Sequence, residues 1–254
     1  DIQKILETAN KRSIPAEHKV FDFALPKLKA RVLPGSEIFV KSLQKEIESE
    51  VLLFHTQKTY LEQIFSIVMN AGYELEEFIA GPLATAQAVI KEKDKISGVI
   101  VLDIGASSTE VIAYSKGRPV FSGVIPIAGN NISNDMKYLF NYSPDVAENI
   151  VVTYGKAISE DIDENEKINI DIGNGDGPSN LDYKYFVSII EARLEEIFNL
   201  VKKLINSKGI EINSERFPAG IVLTGGCSLI SDIDKLAGRI FKLPINLPVI
   251  ESEH

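Results

Sequence analysis

The sequence predicts an α/β fold, and three observations carry that prediction. Residues 98–109 read Gly-Val-Ile-Val-Leu-Asp-Ile-Gly-Ala-Ser-Ser-Thr. Residues 220–228 read Gly-Ile-Val-Leu-Thr-Gly-Gly-Cys-Ser. Each is an apolar run of strand length that stops abruptly in small residues. The first ends in an Asp103-x-Gly105 turn rich in hydroxyls, the second in Gly225-Gly226. The third observation is a long helical stripe between them: Phe186, Ile189, Ile190, Leu194, Ile197, Phe198, Val201, Leu204 and Ile205. Buried strands feeding small-residue turns, with amphipathic helices between, make an open α/β sheet whose ligands sit at the strands' carboxyl ends.

Residues 1–11 carry Ile2, Ile5, Leu6 and Ala9 at helical spacing. Val20–Leu25 and Glu50–His55 read as strands, joined by a loop holding Pro26, Pro34 and Gly35. Lys58–Ala71 is an amphipathic helix with Tyr60, Leu61, Ile64, Phe65 and Val68 on one face and Gly72 as its stop. Residues 1–72 therefore form a small β-rich α/β unit. After Gly81-Pro82 comes an alanine-rich helix, Leu83–Ile90, then a charged connector, Lys91–Lys95.

Strand Val99–Asp103 opens the motif region. Glu110–Tyr114 and Val120–Ile125 pair across a Lys116-Gly117 turn. Asn131–Phe140 and Pro144–Tyr154 are helices, the second with Ser143 as N-cap and Pro144 at the first helical position. Lys167–Asp171 is a short strand inside the acidic stretch 159–182. The long striped helix runs from Asp182 to Ile205. Strand Ala219–Thr224, a helix from about Ile230 to Phe241 and a short strand Ile245–Val249 follow.

The net charge of −9 argues against non-specific nucleic-acid binding. A single cysteine, Cys227, rules out an internal disulfide framework and reads as a small buried residue. His18, His55 and His254 show no metal-ligand spacing. No apolar run approaches the ~18 residues of a membrane span. The chain opens at Asp1, inside helical spacing and without methionine, and reads as a fragment.

The two strand-turns point to a nucleotide cleft. Asp103 is a hard oxygen ligand suited to holding a magnesium-bound water. Gly105, Ser107, Ser108 and Thr109 offer N–H and O–H donors to phosphates. Gly225 and Gly226 let the backbone pass close to a nucleoside, where a Cβ would collide. The glycine-rich run 171–177 is neither a Walker loop, since Gly-Lys-Ser/Thr is absent, nor an EF-hand, since glycines stand where ligands are needed. It reads as a surface loop. On the striped helix Arg193, Glu195, Glu196, Lys202 and Lys203 make a mixed polar face, either solvated or docking a peptide.

Gly98 to Gly155 resembles the actin-like cell-division family FtsA. The most specific stretch is Ile125-Pro126-Ile127-Ala128-Gly129-Asn130, followed by Ile132, Ser133 and a helix with Asp135. The helix from Asp145 to Gly155, the run 220–228, and the start through His18, Val20 and Pro26 match as well. The resemblance implies an actin-like (ribonuclease H-like) ATPase fold with an inserted small β-rich α/β subdomain. Residues 1–73 would be that insertion and 74–97 a return to the first actin-like domain. Residues 98–130 with 219–254 would be a core subdomain of the second domain, and 131–218 its outer subdomain.

It also implies a site and partners. Asp103, Gly105, Ala106, Ser107, Ser108, Thr109, Gly129, Asn130, Glu148, Gly225, Gly226 and Cys227 would surround ATP, with Mg2+ held through water on Asp103. The protein would polymerise head to tail and tether the FtsZ ring to the cytoplasmic face of the membrane at the division septum. The FtsZ carboxyl-terminal tail would dock near Arg193, and other division proteins on residues 1–73. The family's anchor is a carboxyl-terminal amphipathic helix, which this chain does not contain.

Departures from the family pattern qualify the chemistry. Ala106 and Ser107 stand where glycines are usual, Val151 where a lysine commonly follows Glu148, and Gly81-Pro82 where hydrolytic chaperone relatives carry Glu-Pro. The expectation is weak nucleotide binding and little or no hydrolysis. The alternatives are the actin-like protein of type IV pilus assembly, a sugar or acetate kinase of the same superfamily, and a plasmid filament.

Overall fold

A computed structural model describes residues 14–32, 45–170 and 179–248. The helical spacing at 1–11, Pro34, Gly35, the run 171–177 and His254 lie outside the described residues.

Strands β1 (His18–Val32) and β2 (Lys45–Gln57) form an antiparallel ribbon. β1 runs past Pro26, where a loop was expected. Ala24 pairs with Leu52 and Lys27 with Glu50, so Leu25 and Pro26 together oppose one residue. A proline has no N–H to give a ladder, and a bulge is where a strand tolerates it. Helix α1 (Lys58–Asn70) follows β2 without a loop. Its first residue is tied back to the ribbon's entry, Lys58 N–H to the Glu17 carbonyl at 3.0 Å and Nζ to the Ala16 carbonyl at 3.1 Å. Of its expected apolar face only Leu61 is buried. Val68 is half-buried, and Tyr60, Ile64 and Phe65 are exposed.

Helix α2 (Gly81–Val89) starts with Pro82 in its first turn. The expected connector is instead a short helix, α3 (Glu92–Ser97). Lys95 fixes it: the buried ammonium donates to Gln87 Oε1 at 2.9 Å and Glu92 Oε1 at 2.5 Å, and lies over the Tyr114 ring. A buried ammonium needs such partners.

Next come β3 (Val99–Ile104), β4 (Thr109–Ser115), β5 (Arg118–Ile125), α4 (Gly129–Phe140) and α5 (Pro144–Tyr154). Then follow β6 (Lys167–Ile170), β7 (Ser179–Asp182), α6 (Tyr183–Asn206), β8 (Ile221–Thr224), α7 (Ile233–Phe241) and β9 (Ile245–Asn246). A 3-10 turn, Gly226–Leu229, delays the start of α7 to Ile233, three residues after the sequence-based estimate.

The main sheet has the order β5-β4-β3-β8-β9. β3, β4 and β5 are antiparallel neighbours, whereas β8 lies parallel to β3 and β9 parallel to β8. β3 is buried on both faces, so its apolar run is continuous. Ile100, Leu102 and Ile104 point into the larger core, with Phe186, Phe198, Val201 and Phe217. Val99 and Val101 point the other way, onto Ala86 and Ile90. The parallel β3–β8 pair sets Asp103 opposite Thr224, so both small-residue turns emerge at the same sheet edge.

Candidate functional site

A cavity of about 450 Å³ opens at that edge. Gly105, Ala106, Gly129 and Asn130 form one wall, Gly226, Cys227 and Leu229 a second, and Glu148, Val151 and Val152 of α5 a third. Of the expected site residues, Asp103, Ser107, Ser108, Thr109 and Gly225 stand outside this lining.

The turn after β3 closes on itself, the Gly105 N–H donating to the Ser108 carbonyl at 3.1 Å. Gly129 and Asn130, the first residues of α4, donate their N–H groups to the carbonyls of Gly105 and Ala106, at 3.0 and 2.7 Å. Helix-start amides usually lack partners and attract anions. Here they hold the turn instead, leaving its exposed tip, Ala106 and Ser107, as the surface offered to a ligand. Gly129 has to be glycine, because a Cβ would lie 2.8 Å from Cys227 Sγ and 3.2 Å from the Gly105 carbonyl oxygen.

Asp103 is half-buried at the end of β3, and its Oδ2 accepts a hydrogen bond from Thr85 Oγ1 at 3.0 Å. Gly225 passes directly over it. At φ +85° it takes a conformation that side chains disfavour, and a Cβ would meet Asp103 Oδ1 and the Ile104 carbonyl oxygen, each at 2.5 Å. Gly226 has open space at its Cβ position.

Thr109 departs from its expected role as a phosphate donor. It is fully buried, and its hydroxyl donates to the Ile127 carbonyl at 2.8 Å, joining β4 to the entry of α4. Cys227 is buried, with its thiol 3.6 Å from the Gly105 carbonyl, and burial pushes its pKa up to about 11. Glu148 lies exposed on the cavity wall with Val151 one helical turn on.

Sequence reasoning missed two features. Val152 and Leu229 are 78 % and 86 % exposed and border the cavity as apolar lips. Periodicity places apolar residues in cores, so it gives no signal for such positions. The second is Glu110. It pairs with Asp103 across β3 and β4, and its pKa is raised by burial first and by the Asp103 charge second. In the sequence it is only a polar position at the start of a strand.

Arg193 lies away from the cavity. Its Nε and terminal nitrogen donate to the two Asp135 oxygens at 2.7 and 2.8 Å, and its other nitrogen contacts Glu196. The hydrogen bond to Asp135 is the first reason its pKa is raised. His18 and His55 meet across the ribbon, Nδ1 to Nδ1 at 2.8 Å. Among the described residues, no three histidine, cysteine or acidic side chains gather where they could hold a metal ion. No described helix is long and apolar enough to cross a membrane.

Solved structures share this architecture. MreB5 of Spiroplasma citri bound to ADP superposes with a TM-score of 0.62 at 21 % identity, covering 76 % of this chain and 61 % of that one. The PilM-PilN type IV pilus biogenesis complex gives 0.64 at 18 % identity and covers 98 % of this chain and 61 % of its own. The fold is therefore actin-like, a mixed α/β sheet that the β1–β2 ribbon precedes in the chain. The cell division protein FtsA of Neisseria meningitidis serogroup B is 31 % identical over 246 residues, which is 96 % of this chain and 59 % of the relative. The chain thus spans about three fifths of that relative's length. The family model for cell division protein FtsA matches residues 100–252, more than half of the chain and every wall of the cavity, and on that match the chain belongs to the FtsA family.

Proposed function

We propose that this chain binds ATP with magnesium at the carboxyl ends of β3 and β8 and works as a scaffold of the bacterial division ring. The observation that carries the reading is the three-walled cavity. Its lining combines a turn of small residues with an exposed tip, one acid, Glu148, and the exposed apolar side chains Val152 and Leu229. A small-residue turn, a carboxylate able to accept from hydroxyls and apolar side chains in one cavity suit phosphate, ribose and base. At about 450 Å³ the space is of ligand size. Magnesium keeps several waters and needs few carboxylates, so Asp103 suffices for a water-bridged contact. The likeness to MreB5, which is bound to ADP, supports a nucleotide on this fold.

Hydrolysis is expected to be slow. Gly81 brings no acid, Ala106 and Ser107 add Cβ atoms at the turn tip, and Val151 replaces a cation. Nucleotide binding is tested by titrating a fluorescent ATP analogue with and without magnesium. A folded protein that shows no saturable binding at millimolar analogue sinks this part of the reading. Fast magnesium-dependent turnover lost on Asp103→Ala would contradict the scaffold assignment.

The partner side of the proposal places the FtsZ tail on the outer face of α4 and α6, with Arg193 as its cation. Tyr138 and Tyr185 are exposed on the same two helices. Self-association into protofilaments, contacts of residues 1–73 with other division proteins, and residence at the cytoplasmic membrane face of the septum complete it. Membrane attachment would come through a carboxyl-terminal amphipathic helix. Anisotropy of a labelled FtsZ tail peptide tests the docking, and a folded protein that never saturates rejects it.

A further inference from the structure

Asp103 and Glu110 are cross-strand partners on β3 and β4. Like charges directly opposite on a sheet repel. Glu110 lies against Gly81, where a Cβ would stand 2.8 Å from its Oε2 and 3.4 Å from its Oε1. The residue before Gly81 is Ala80, whose N–H donates to Asp22 Oδ2 of β1 at 2.8 Å. The other Asp22 oxygen accepts the Phe23 N–H, also at 2.8 Å, so the carboxylate is fixed to the ribbon. Helix α2 then returns to Asp103 through Thr85. These contacts make a closed circuit from the sheet edge to the ribbon and back. Beside Glu110 lies a second cavity of about 510 Å³, walled by Phe21, Leu53 and His55 of the ribbon and by Gly81, Pro82 and Val124. Glu110 itself lines this cavity, so its carboxylate is not packed in on the ribbon side.

We propose that Glu110 is a positioning residue that transmits the charge state of Asp103 to the Ala80–Asp22 link, and so couples the nucleotide cleft to the seating of the β1–β2 ribbon. The proposal rests on the reading that a magnesium-bound nucleotide is held beside Asp103. While Asp103 is uncompensated, repulsion keeps Glu110 pressed on Gly81. A cation that cancels the Asp103 charge removes the repulsion. Glu110 then swings back across the strand pair, its support of Gly81 is withdrawn, and the Ala80 hydrogen bond loosens. Occupancy of the cleft is thereby read out at the ribbon.

The test is a double-mutant cycle without nucleotide, read by amide hydrogen exchange at Ala80 in the wild type, Asp103→Asn, Glu110→Gln and the double variant. Asp103→Asn is expected to speed Ala80 exchange about threefold, the scale of a half-exposed charge pair. The same change should do nothing once position 110 is glutamine. A merely steric role for Glu110 survives in glutamine, which keeps its shape, so dependence on the 110 charge separates the two roles. An equal Asp103→Asn effect in both backgrounds, or none in the wild type, overturns the relay. If Asp103→Asn does not fold, Thr85→Val replaces it. That change leaves the Asp103 charge less compensated and should slow Ala80 exchange only where Glu110 is present; a change independent of Glu110 overturns the relay equally. Nucleotide binding is measured separately on the wild type, so failure of the relay and failure of the nucleotide reading give different results.

Discussion

The Arg193 guanidinium grips both oxygens of Asp135, fastening α6 to α4 through a two-pronged ion pair. Both side chains are about three-quarters covered, so the pair is less screened than a surface bridge. The cation assigned to peptide docking is therefore already engaged. An acidic peptide reaching Arg193 has to compete with Asp135. Asp135→Asn should cost about 1 kcal/mol of stability by urea unfolding yet tighten the FtsZ tail peptide, while Arg193→Glu weakens it. Weaker peptide binding in Asp135→Asn would mean that the intact pair, not the free guanidinium, is what the peptide recognises.

Gly225 and Gly226 look equivalent in the sequence but not in the structure. Gly225→Ala puts a Cβ onto Asp103 and Ile104 from a left-handed backbone, at a cost of about 2 kcal/mol or more. It should also displace Asp103 and abolish nucleotide binding. Gly226→Ala meets open space and should stay within about 0.5 kcal/mol of wild type. Urea unfolding and analogue titration of the two variants side by side check both. Equal losses would show that the backbone over Asp103 is not placed as described.

Much of this fold is legible in the sequence because burial repeats with a period. Seven of the nine residues in the α6 stripe are fully buried, with Ile189 and Leu204 half-buried beside them. β3 and β8 announce themselves as apolar runs ending in small residues. What escapes is structure held by single long-range contacts. β7 has one apolar residue, Leu181, and is a strand through pairing with β6. α3 is a charged run until Lys95 finds Gln87, Glu92 and the Tyr114 ring. The site divides the same way. The turns are visible as Asp-x-Gly and Gly-Gly, but the Thr109 bond to Ile127 and the approach of Glu110 to Gly81 depend on chain geometry that spacing does not encode.

The raised pKa of Glu110 fixes the sign of a pH effect. Burial, then the Asp103 charge, disfavours its ionised form in the folded protein. The folded state thus holds this proton more tightly than the unfolded one, and stability falls as pH rises through the interval above the ordinary glutamate value of 4.5. The penalty is fully present only above the raised folded-state value, and below the ordinary value it is gone. Glu110→Gln should therefore stabilise the protein at neutral pH and lose that advantage in acid. Urea midpoints at neutral and acid pH check this, and a glutamine variant less stable at neutral pH would mean that the ionised group makes a favourable contact.

Cys227 gives a chemical probe of the same cavity. Only the thiolate attacks a disulfide reagent, and burial raises this thiol to about 11. At pH 8 about one molecule in a thousand is ionised, so modification should run about a hundredfold slower than for an exposed cysteine. The rate should climb about tenfold per pH unit until the pH nears that value. Because Cys227 lines the cavity, a bound nucleotide should slow the reaction further at every pH. The thiol also donates toward the Gly105 carbonyl, so Cys227→Ser can keep that contact and still bind the analogue without the slow labelling step. Rapid labelling at pH 8 would contradict the burial of the thiol. Labelling unaffected by saturating analogue would place the nucleotide elsewhere on the protein.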